Sequence, residues 1–212
     1  MTDPHEPTAP GFHDRSQEPI AEIPTEPEAF LRWAAGLDRH QPFKYELSRG
    51  KVSRMMIHVS RGHWRVTASI LGELLQKLDS TRFEAGPAEF GVRTGVGVRY
   101  PDVLVDRLSS DLTGLACEAP ILVVEVLSPS TAGLDFTVKL QEYAAIASVQ
   151  TYLVCSQDEP RAWVWARRSD GTWPKLPVEL ADRDSVIALG GLDVELSMAA
   201  VFHGIPDAPS LE

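Results

Sequence analysis

Two acidic residues stand at the ends of two apolar segments that have the composition of β-strands. Asp102 precedes the apolar residues 103–105, and Glu125 follows the apolar residues 121–124. A buried, unpaired carboxylate costs several kcal/mol, so each acid should meet a cation, a metal ion or strong donors. If the strands pair in antiparallel fashion, Asp102 comes level with Glu125, and cross-strand neighbours lie about 4.5 to 5.5 Å apart. Two carboxylates so placed could hold one divalent ion.

A lysine follows the second strand at a spacing that could bring it to the two acids. Asp135, Lys139 and Tyr143 recur every four residues on one face of a helix predicted at 134–148. The alternative is a solvated i,i+4 ion pair, which is common and worth a few tenths of a kcal/mol. Spacing alone favours the surface pair. The residues of this helix that we expect on its buried side are Phe136, Leu140, Ala144 and Ala147.

Two further residues have candidate roles. Glu46 lies in a segment, 43–56, whose alternation and Arg49-Gly50 turn predict a hairpin. It either reaches the site as a third acid or faces solvent, and the second is commoner for a lone strand carboxylate. His63 opens a leucine-rich helix predicted at 63–78. Because no second histidine lies at ligand spacing, we expect His63 to face solvent rather than bind a metal ion.

The remaining pattern predicts one domain at 28–205 between a tail and a loose end. Residues 1–27 are rich in Pro, Glu, Thr and Ala, which predicts a disordered acidic tail, and residues 206–212 look loose. The other predicted elements are a helix from Pro27 to about Leu37 capped by Thr25, glycine-broken strands within 81–98, a hairpin of 150–155 and 161–167, a strand at 186–189 and a helix at 196–202.

Composition limits the function classes. The chain has 212 residues, 43% of them hydrophobic, and a net charge of −10, which argues against a broad basic face for nucleic acid. Residues 1–28 carry seven acids and one arginine, so the remainder is only mildly acidic and local basic patches stay open. The two cysteines predict free thiols. Apolar runs are too short to cross a bilayer, and we expect a cytoplasmic protein.

The order of these motifs resembles the Uma2 family (DUF820) of the PD-(D/E)XK nuclease superfamily, over residues 28–203. The Pro-Asp strand and the Glu-Val-Leu-Ser-Pro-Ser segment are its most specific parts. The residues that carry the resemblance are Tyr45, Glu46, Leu47 and Gly50; His63; Arg99 to Val103; Val124 to Thr131; Asp135, Lys139 and Tyr143; and Tyr152 to Val154.

The resemblance implies an α/β (α+β) fold, with a restriction-endonuclease-like mixed β-sheet flanked by helices and extra β-hairpins. It implies a metal-dependent endonuclease that hydrolyses phosphodiester bonds of nucleic acid, here DNA, with Mg²⁺ or, in its place, Mn²⁺. Asp102, Glu125 and the backbone carbonyl of Val126 would bind the ion, with Glu46 as a further acid. Lys139 would supply the catalytic lysine, since Leu127 occupies the position where the superfamily has one.

The chain departs from the family pattern away from these acids. Leu153 and Cys155 stand where the family usually has tryptophan and aspartate, and the predicted helix ends in Ala147 and Ser148 where glycine is usual. These changes weaken the match to the family consensus, but they leave the acids that would bind the metal ion in place.

A different class of function stays open beside the nuclease. A nuclease fold that has lost turnover could bind nucleic acid or a protein partner, and the acidic charge favours this alternative. The intact set of Asp102, Glu125 and Lys139 argues against it, because a buried acid pair without a metal ion is costly. Nuclease folds of this size often act as homodimers, although no segment of this sequence identifies an interface.

Overall fold

The computed structural model of the chain describes residues 23–38, 43–56, 58–87, 89–117, 119–128, 133 and 135–207. The predicted tail up to residue 22, Pro129 to Thr131 of the family segment, and residues 208–212 lie outside this range. The described helices are α1 (Pro27–Ala35), α2 (Arg61–Lys77), a π-helical turn (Asp135–Lys139), α3 (Leu140–Ala144) and α4 (Met198–Val201). The strands are β1 (Phe43–Ser48), β2 (Lys51–Met56), β3 (Phe83–Pro87), β4 (Gly91–Thr94), β5 (Gly97–Arg99), β6 (Val103–Arg107), β7 (Ala116–Cys117), β8 (Leu122–Val126), β9 (Thr151–Cys155), β10 (Ala162–Ala166), β11 (Val178–Leu180), β12 (Val186–Leu189) and β13 (Val194–Ser197).

The largest sheet among the described residues has the order β11-β10-β9-β8-β6-β3. β8 and β9 run parallel, whereas β6 is antiparallel to β8 and β10 is antiparallel to β9. Every residue of β8 and of β9 is buried, as their continuous apolar runs predict for central strands covered on both faces. The mixed sheet confirms the predicted fold class.

The two faces of this sheet belong to different hydrophobic clusters. Val124 and Val126 pack into the cluster that includes Val66 and Ile70 of α2. Val123 packs into the opposite cluster, which contains residues on the side of α3. Because strand side chains alternate between faces, Glu125 lies on the same face as Val123, toward the π-helical turn and α3.

A second sheet, of order β2-β1-β5-β4-β7, carries the predicted hairpin. The turn between β1 and β2 uses Arg49 and Gly50, both at positive φ (50° and 71°), which suits the twist of a two-residue hairpin. β1 approaches β5 so closely that a Cβ on Gly97 would lie 1.9 Å from the carbonyl oxygen of Leu47. Glycine is therefore required at this crossing, which brings Glu46 beside the end of β5.

Four predicted helix boundaries were wrong, including the start of α2, which is Arg61 rather than His63. The helix predicted at 134–148 is the π-helical turn followed by the short α3. The terminal helix starts at Met198, because residues 194–197 pair with β12 as a strand. Ser197 is the N-cap of this helix, since the Oγ atom of Ser197 accepts a hydrogen bond from the backbone N–H of Ala200. The N-cap of α1 is Glu26 rather than Thr25, without a side-chain capping bond.

Two predictions from composition can be compared with the described residues. Cys117 and Cys155 are both free and buried, as predicted, although Cys117 lies in β7 rather than in a loop. None of the helices in the described ranges is long and apolar enough to cross a membrane.

Candidate active site

Asp102 and Glu125 meet at one end of the β6–β8 ladder. Val103 is opposite Val124 in the antiparallel register, so the next positions along, Asp102 and Glu125, are level with each other. The Oδ2 atom of Asp102 accepts a hydrogen bond of 2.7 Å from the backbone N–H of Val126. The antiparallel pairing thus places the two acids at adjacent positions of neighbouring strands, as the strand pattern predicts.

Lys139 lies against Glu125 in the protein interior. Its Nζ is 2.9 Å from Oε2 of Glu125 and 2.9 Å from Oδ1 of Asp135. Tyr143 donates a 2.9 Å hydrogen bond to Oε1 of Glu125. Glu125 is 4% exposed and Lys139 2% exposed. The expected surface ion pair is therefore wrong, because Lys139 and Asp135 are buried and Lys139 also pairs with Glu125.

The π-helical turn decides which side chains of this segment are buried. Asp135, Lys139 and Tyr143 face the sheet and are buried. Phe136 and Leu140, which we expected at the core, are only partly buried. Such wide turns occur often at functional sites. The backbone of the π-helical turn is also anchored to the sheet, because the Tyr152 hydroxyl of β9 donates a hydrogen bond of 3.0 Å to the carbonyl oxygen of Asp135.

Burial sets the protonation of the pair formed by Glu125 and Lys139. Burial raises the pKa of Glu125 to about 8; the Lys139 ammonium opposes this, while the charges of Asp102 and Asp135 add to it. Burial would lower the pKa of Lys139, but Glu125, Glu46 and Asp135 outweigh it and the pKa is raised. The lysine stays charged, and the Glu125 carboxyl exchanges its proton near neutral pH.

The raised pKa of Glu125 predicts that the metal-free protein loses stability as pH increases. In the unfolded chain this carboxyl titrates near its model value of 4.5, so the folded state binds more protons between about pH 4.5 and 8. Stability is complete at the acidic end of that window and falls by up to about 1.4 kcal/mol per pH unit across it. Glu125→Gln should remove this slope. Urea unfolding at pH 5, 6.5 and 8 in EDTA measures it; parallel slopes for both proteins would contradict the assignment.

Asp102 has a second partner that the sequence did not predict. His63 Nε2 lies 3.3 Å from Oδ2 of Asp102, and both side chains are largely buried. Burial raises the pKa of Asp102, but the His63 ring, the Val126 N–H and the charge of Lys44 outweigh it and the pKa is lowered. Asp102 is therefore a carboxylate at neutral pH.

The expectation that His63 faces solvent is wrong, since the residue is 7% exposed. The reason is that α2 begins two residues earlier than predicted. Ser60 is the N-cap, and its Oγ accepts the backbone N–H of His63 at 3.0 Å. A serine three residues before the histidine was the available signal, because a Ser N-cap commonly accepts from the third helical residue.

Glu46 belongs to a buried charge cluster beside the acid pair. It is buried and accepts from Arg99 Nη1 at 2.9 Å and from the backbone N–H of Tyr100 at 3.2 Å. Arg99 also forms a bidentate pair with Glu142, at 2.7 and 3.0 Å. The solvent-facing alternative for Glu46 is thus wrong, and the sequence analysis missed Arg99 and Glu142. Glu46 thus contacts Arg99 and Tyr100, which shortly precede Asp102 in the sequence, and not Asp102 itself.

A cleft of about 800 Å³ opens at Asp102. It lies between α1, the N-terminal part of α2, β1 and the loop after β3, and Asp102, His63, Lys44 and Tyr100 are in its wall. Glu125 and Lys139 lie behind Asp102 in the interior. A substrate that enters this cleft would therefore meet Asp102 first.

The donor set fits a magnesium ion better than a metal that needs many protein ligands. Within the described ranges, no group of three or more His, Cys, Asp or Glu side chains could hold an ion. Mg²⁺ is usually bound through one or two carboxylates, with waters and substrate phosphates completing the shell. Asp102 and Glu125 supply such a pair of oxygen donors. Both oxygens of Glu46 accept hydrogen bonds, and both oxygens of Glu125 contact Tyr143 or Lys139, so either acid would have to give up a partner to bind an ion.

The mixed β-sheet has the restriction-endonuclease-like fold that the motifs imply. The family described as "Uma2: Putative restriction endonuclease" matches residues 27–199, and the chain belongs to this family. The resemblance inferred from the motifs is confirmed.

Two individual proteins are similar over most of their length. An uncharacterized protein of Synechocystis sp. is 27% identical over 198 residues, which cover 90% of this chain and 98% of that protein. A crystal structure titled as a putative nuclease belonging to DUF820, from Anabaena variabilis, superposes with a TM-score of 0.61 at 16% identity, covering 81% of this chain and 96% of that one. The second likeness supports the fold.

Proposed function

We propose that the protein is a Mg²⁺-dependent endodeoxyribonuclease, with Mn²⁺ able to replace Mg²⁺. The observation that carries the proposal is that Asp102 lies in the wall of a cleft, while Glu125, at the adjacent position across the β6–β8 ladder, is paired with Lys139 in the interior. Family membership supports nuclease chemistry. The dependence on a metal ion and the choice of DNA are proposals from the donor set and the resemblance.

Each residue has a role that follows from its surroundings. Asp102 and Glu125, with the backbone carbonyl of Val126, would hold the ion, which supplies an acidified water and charge neutralisation at the phosphate. Asp102 is ionised at neutral pH, and Glu125, whose pKa is raised to about 8, would bind a cation as the deprotonated carboxylate. Lys139 stays charged beside Glu125 and stabilises negative charge that develops at phosphorus. Glu46 positions Arg99 and Tyr100 through its hydrogen bonds to them. The formation of a homodimer stays a prediction.

Plasmid and oligonucleotide cleavage tests the proposal. The wild-type protein should nick or cut DNA in Mg²⁺ or Mn²⁺ and be inactive in EDTA, and Asp102→Asn should lose at least about 100-fold in rate. Calorimetric titration with Mn²⁺ provides a readout apart from activity, with binding by the wild type and none by Asp102→Asn. If the folded wild type neither binds Mn²⁺ at millimolar concentration nor cleaves, the non-catalytic module becomes the better account.

His63 should act on the reaction only through Asp102. The ring lies 3.3 Å from the carboxylate and fixes its orientation, and loss of such outer partners usually costs 10- to 100-fold in metal affinity or activity. We expect His63→Ala to weaken Mn²⁺ binding by about this factor, with a smaller loss for His63→Gln, which keeps a donor. Calorimetry of the three proteins measures it. Equal Mn²⁺ affinity in the wild type and His63→Ala would refute the positioning role.

A further inference from the structure

The cleft above Asp102 is lined by aromatic and aliphatic side chains. Trp64 stands out from α2 and is 61% exposed, and Phe90, after β3, is 37% exposed. Isolated exposed apolar residues are ordinary, but a concave group next to a candidate catalytic carboxylate indicates a binding surface. The aromatic residues of the lining are Phe43, Tyr45, Trp64, Phe90 and Tyr100.

Positive charge is scarce in the same cleft. Of the described lining residues, Lys44 is the single lysine or arginine, and the acids Asp38 and Glu89 stand with Asp102. The chain as a whole has a net charge of −10. A protein that grips duplex DNA through its phosphates typically makes about 6 to 10 contacts with lysine and arginine. The described lining offers few such contacts to either form of DNA, so affinity for any DNA in this cleft must come from contacts with the bases.

Unpaired bases suit this lining much better. Every base has a π-face that stacks on aromatic side chains regardless of sequence, and each such contact is worth about 1 to 3 kcal/mol. Paired bases in a duplex are stacked on each other and present their faces to no protein side chain. Lys44, the single lysine or arginine of the described lining, lies close to Asp102, since its Nζ donates to the carbonyl oxygen of Tyr100 at 3.4 Å, two residues before Asp102.

We propose that the cleft binds single-stranded DNA, with unpaired bases stacked on the exposed rings of Trp64 and Phe90 and the sugar-phosphate chain passing Lys44 toward Asp102. The inference rests on the proposed nuclease function for the identity of the polymer. It goes beyond that function in naming the substrate class as unpaired strands, such as single strands, flaps or melted segments. Duplex DNA is cut, in this account, where bases are free to leave the stack.

Binding without cleavage tests the proposal. The probe is a fluorescein-labelled 12-nucleotide single strand of mixed sequence, compared by anisotropy with the same sequence as a duplex, in EDTA. We expect the single strand to bind at least about 10-fold more tightly. Its dissociation constant should rise less than about 10-fold between 50 and 200 mM salt, against about 10³- to 10⁵-fold for a protein with many phosphate contacts.

Variants of α2 separate stacking from general effects. Trp64→Ala should weaken single-strand binding by about 5- to 150-fold, which is the loss of one stacked base, and Trp64→Phe should keep most of the affinity. Leu75→Ala is the matched control, because Leu75 lies on the same helix, is 63% exposed and is not part of the cleft lining. It should bind like the wild type. Thermal unfolding of each variant checks that the fold is retained.

The outcomes distinguish this inference from the nuclease proposal. Equal or tighter binding of the duplex, wild-type affinity in Trp64→Ala, or no binding of either DNA would overturn the inference. If duplex plasmid is then still cleaved in Mg²⁺, the nuclease proposal stands without it. Conversely, if the protein binds the single strand through Trp64 and yet cleaves no DNA, that result would support the inference and contradict the nuclease proposal.

Discussion

Replacement of Lys139 with methionine is expected to lower the free energy of unfolding by about 3 to 5 kcal/mol and DNA cleavage by about 100- to 1000-fold. Lys139 is the cation between Glu125 and Asp135, and all three side chains are buried. Methionine fills nearly the same volume but leaves the carboxylates without that charge. The loss of stability follows from uncompensated buried charge, and the loss of rate follows from the missing ammonium group. Urea unfolding and cleavage kinetics at a temperature where the variant is folded measure the two effects.

A second substitution separates these two effects of Lys139. Lys139→Met combined with Asp135→Asn should regain part of the lost stability, because one buried negative charge is removed, but should regain no activity. Lys77→Met is the control for the substitution itself. Lys77 forms an i,i+4 pair with Glu73 on the exposed side of α2, so its loss should change stability by less than about 1 kcal/mol. Wild-type cleavage by folded Lys139→Met would exclude the lysine from the reaction.

The acid pair was predictable because strand pairing obeys a strict alternation. An apolar run that ends in Glu125 and another that starts after Asp102 can be matched in only a few antiparallel registers. β8 is apolar and buried on both faces, so burial alone does not choose among these registers. In the observed register Val103 lies opposite Val124, and this aligns the acid that precedes one run with the acid that follows the other.

The environment of Lys139 was less predictable, because helical periodicity does not say which face is buried. The pattern of Phe136 and Leu140 favoured an apolar buried face, as in most surface helices. In the structure the charged face is buried, and Glu125 and Tyr143 compensate it. A tertiary contact thus outweighs the local preference, and the π-helical turn that accompanies it has no signature in the sequence pattern. The family resemblance, rather than the spacing, pointed to this lysine.

The cleft was beyond sequence analysis because its residues come from distant segments of the chain. Lys44 lies in β1, Trp64 in α2 and Phe90 in the loop after β3. The local sequence pattern of none of these segments indicates a cleft. Only the packing of α1 and of the second sheet beside α2 brings them together. The same holds for Arg99, whose partners Glu46 and Glu142 are 53 and 43 residues away in sequence.

Replacement of Arg99 with methionine is expected to destabilise the protein by about 3 to 5 kcal/mol. The guanidinium group is buried between Glu46 of β1 and Glu142 of α3, and so it joins the second sheet to the helix that carries Lys139. Burial lowers the pKa of Arg99, but its bonds to Glu142 and the charge of Glu46 outweigh this and the pKa is raised, so the group is permanently charged. Without it, two carboxylates remain buried near each other. Urea unfolding at pH 7.5 measures the loss.

Matched variants identify charge compensation as the cause. Arg99→Met combined with Glu142→Gln should be more stable than Arg99→Met alone, because one of the two uncompensated charges is gone. Arg99→Lys should lie between the wild type and Arg99→Met, since it keeps the charge but loses the bidentate geometry. Arg32→Met, which removes an exposed i,i+4 pair with Glu28, should have little effect. If Arg99→Met unfolds like Arg32→Met, the buried cluster does not hold the second sheet to α3, and the position of Lys139 depends on its contacts with Glu125 and Asp135 rather than on Arg99.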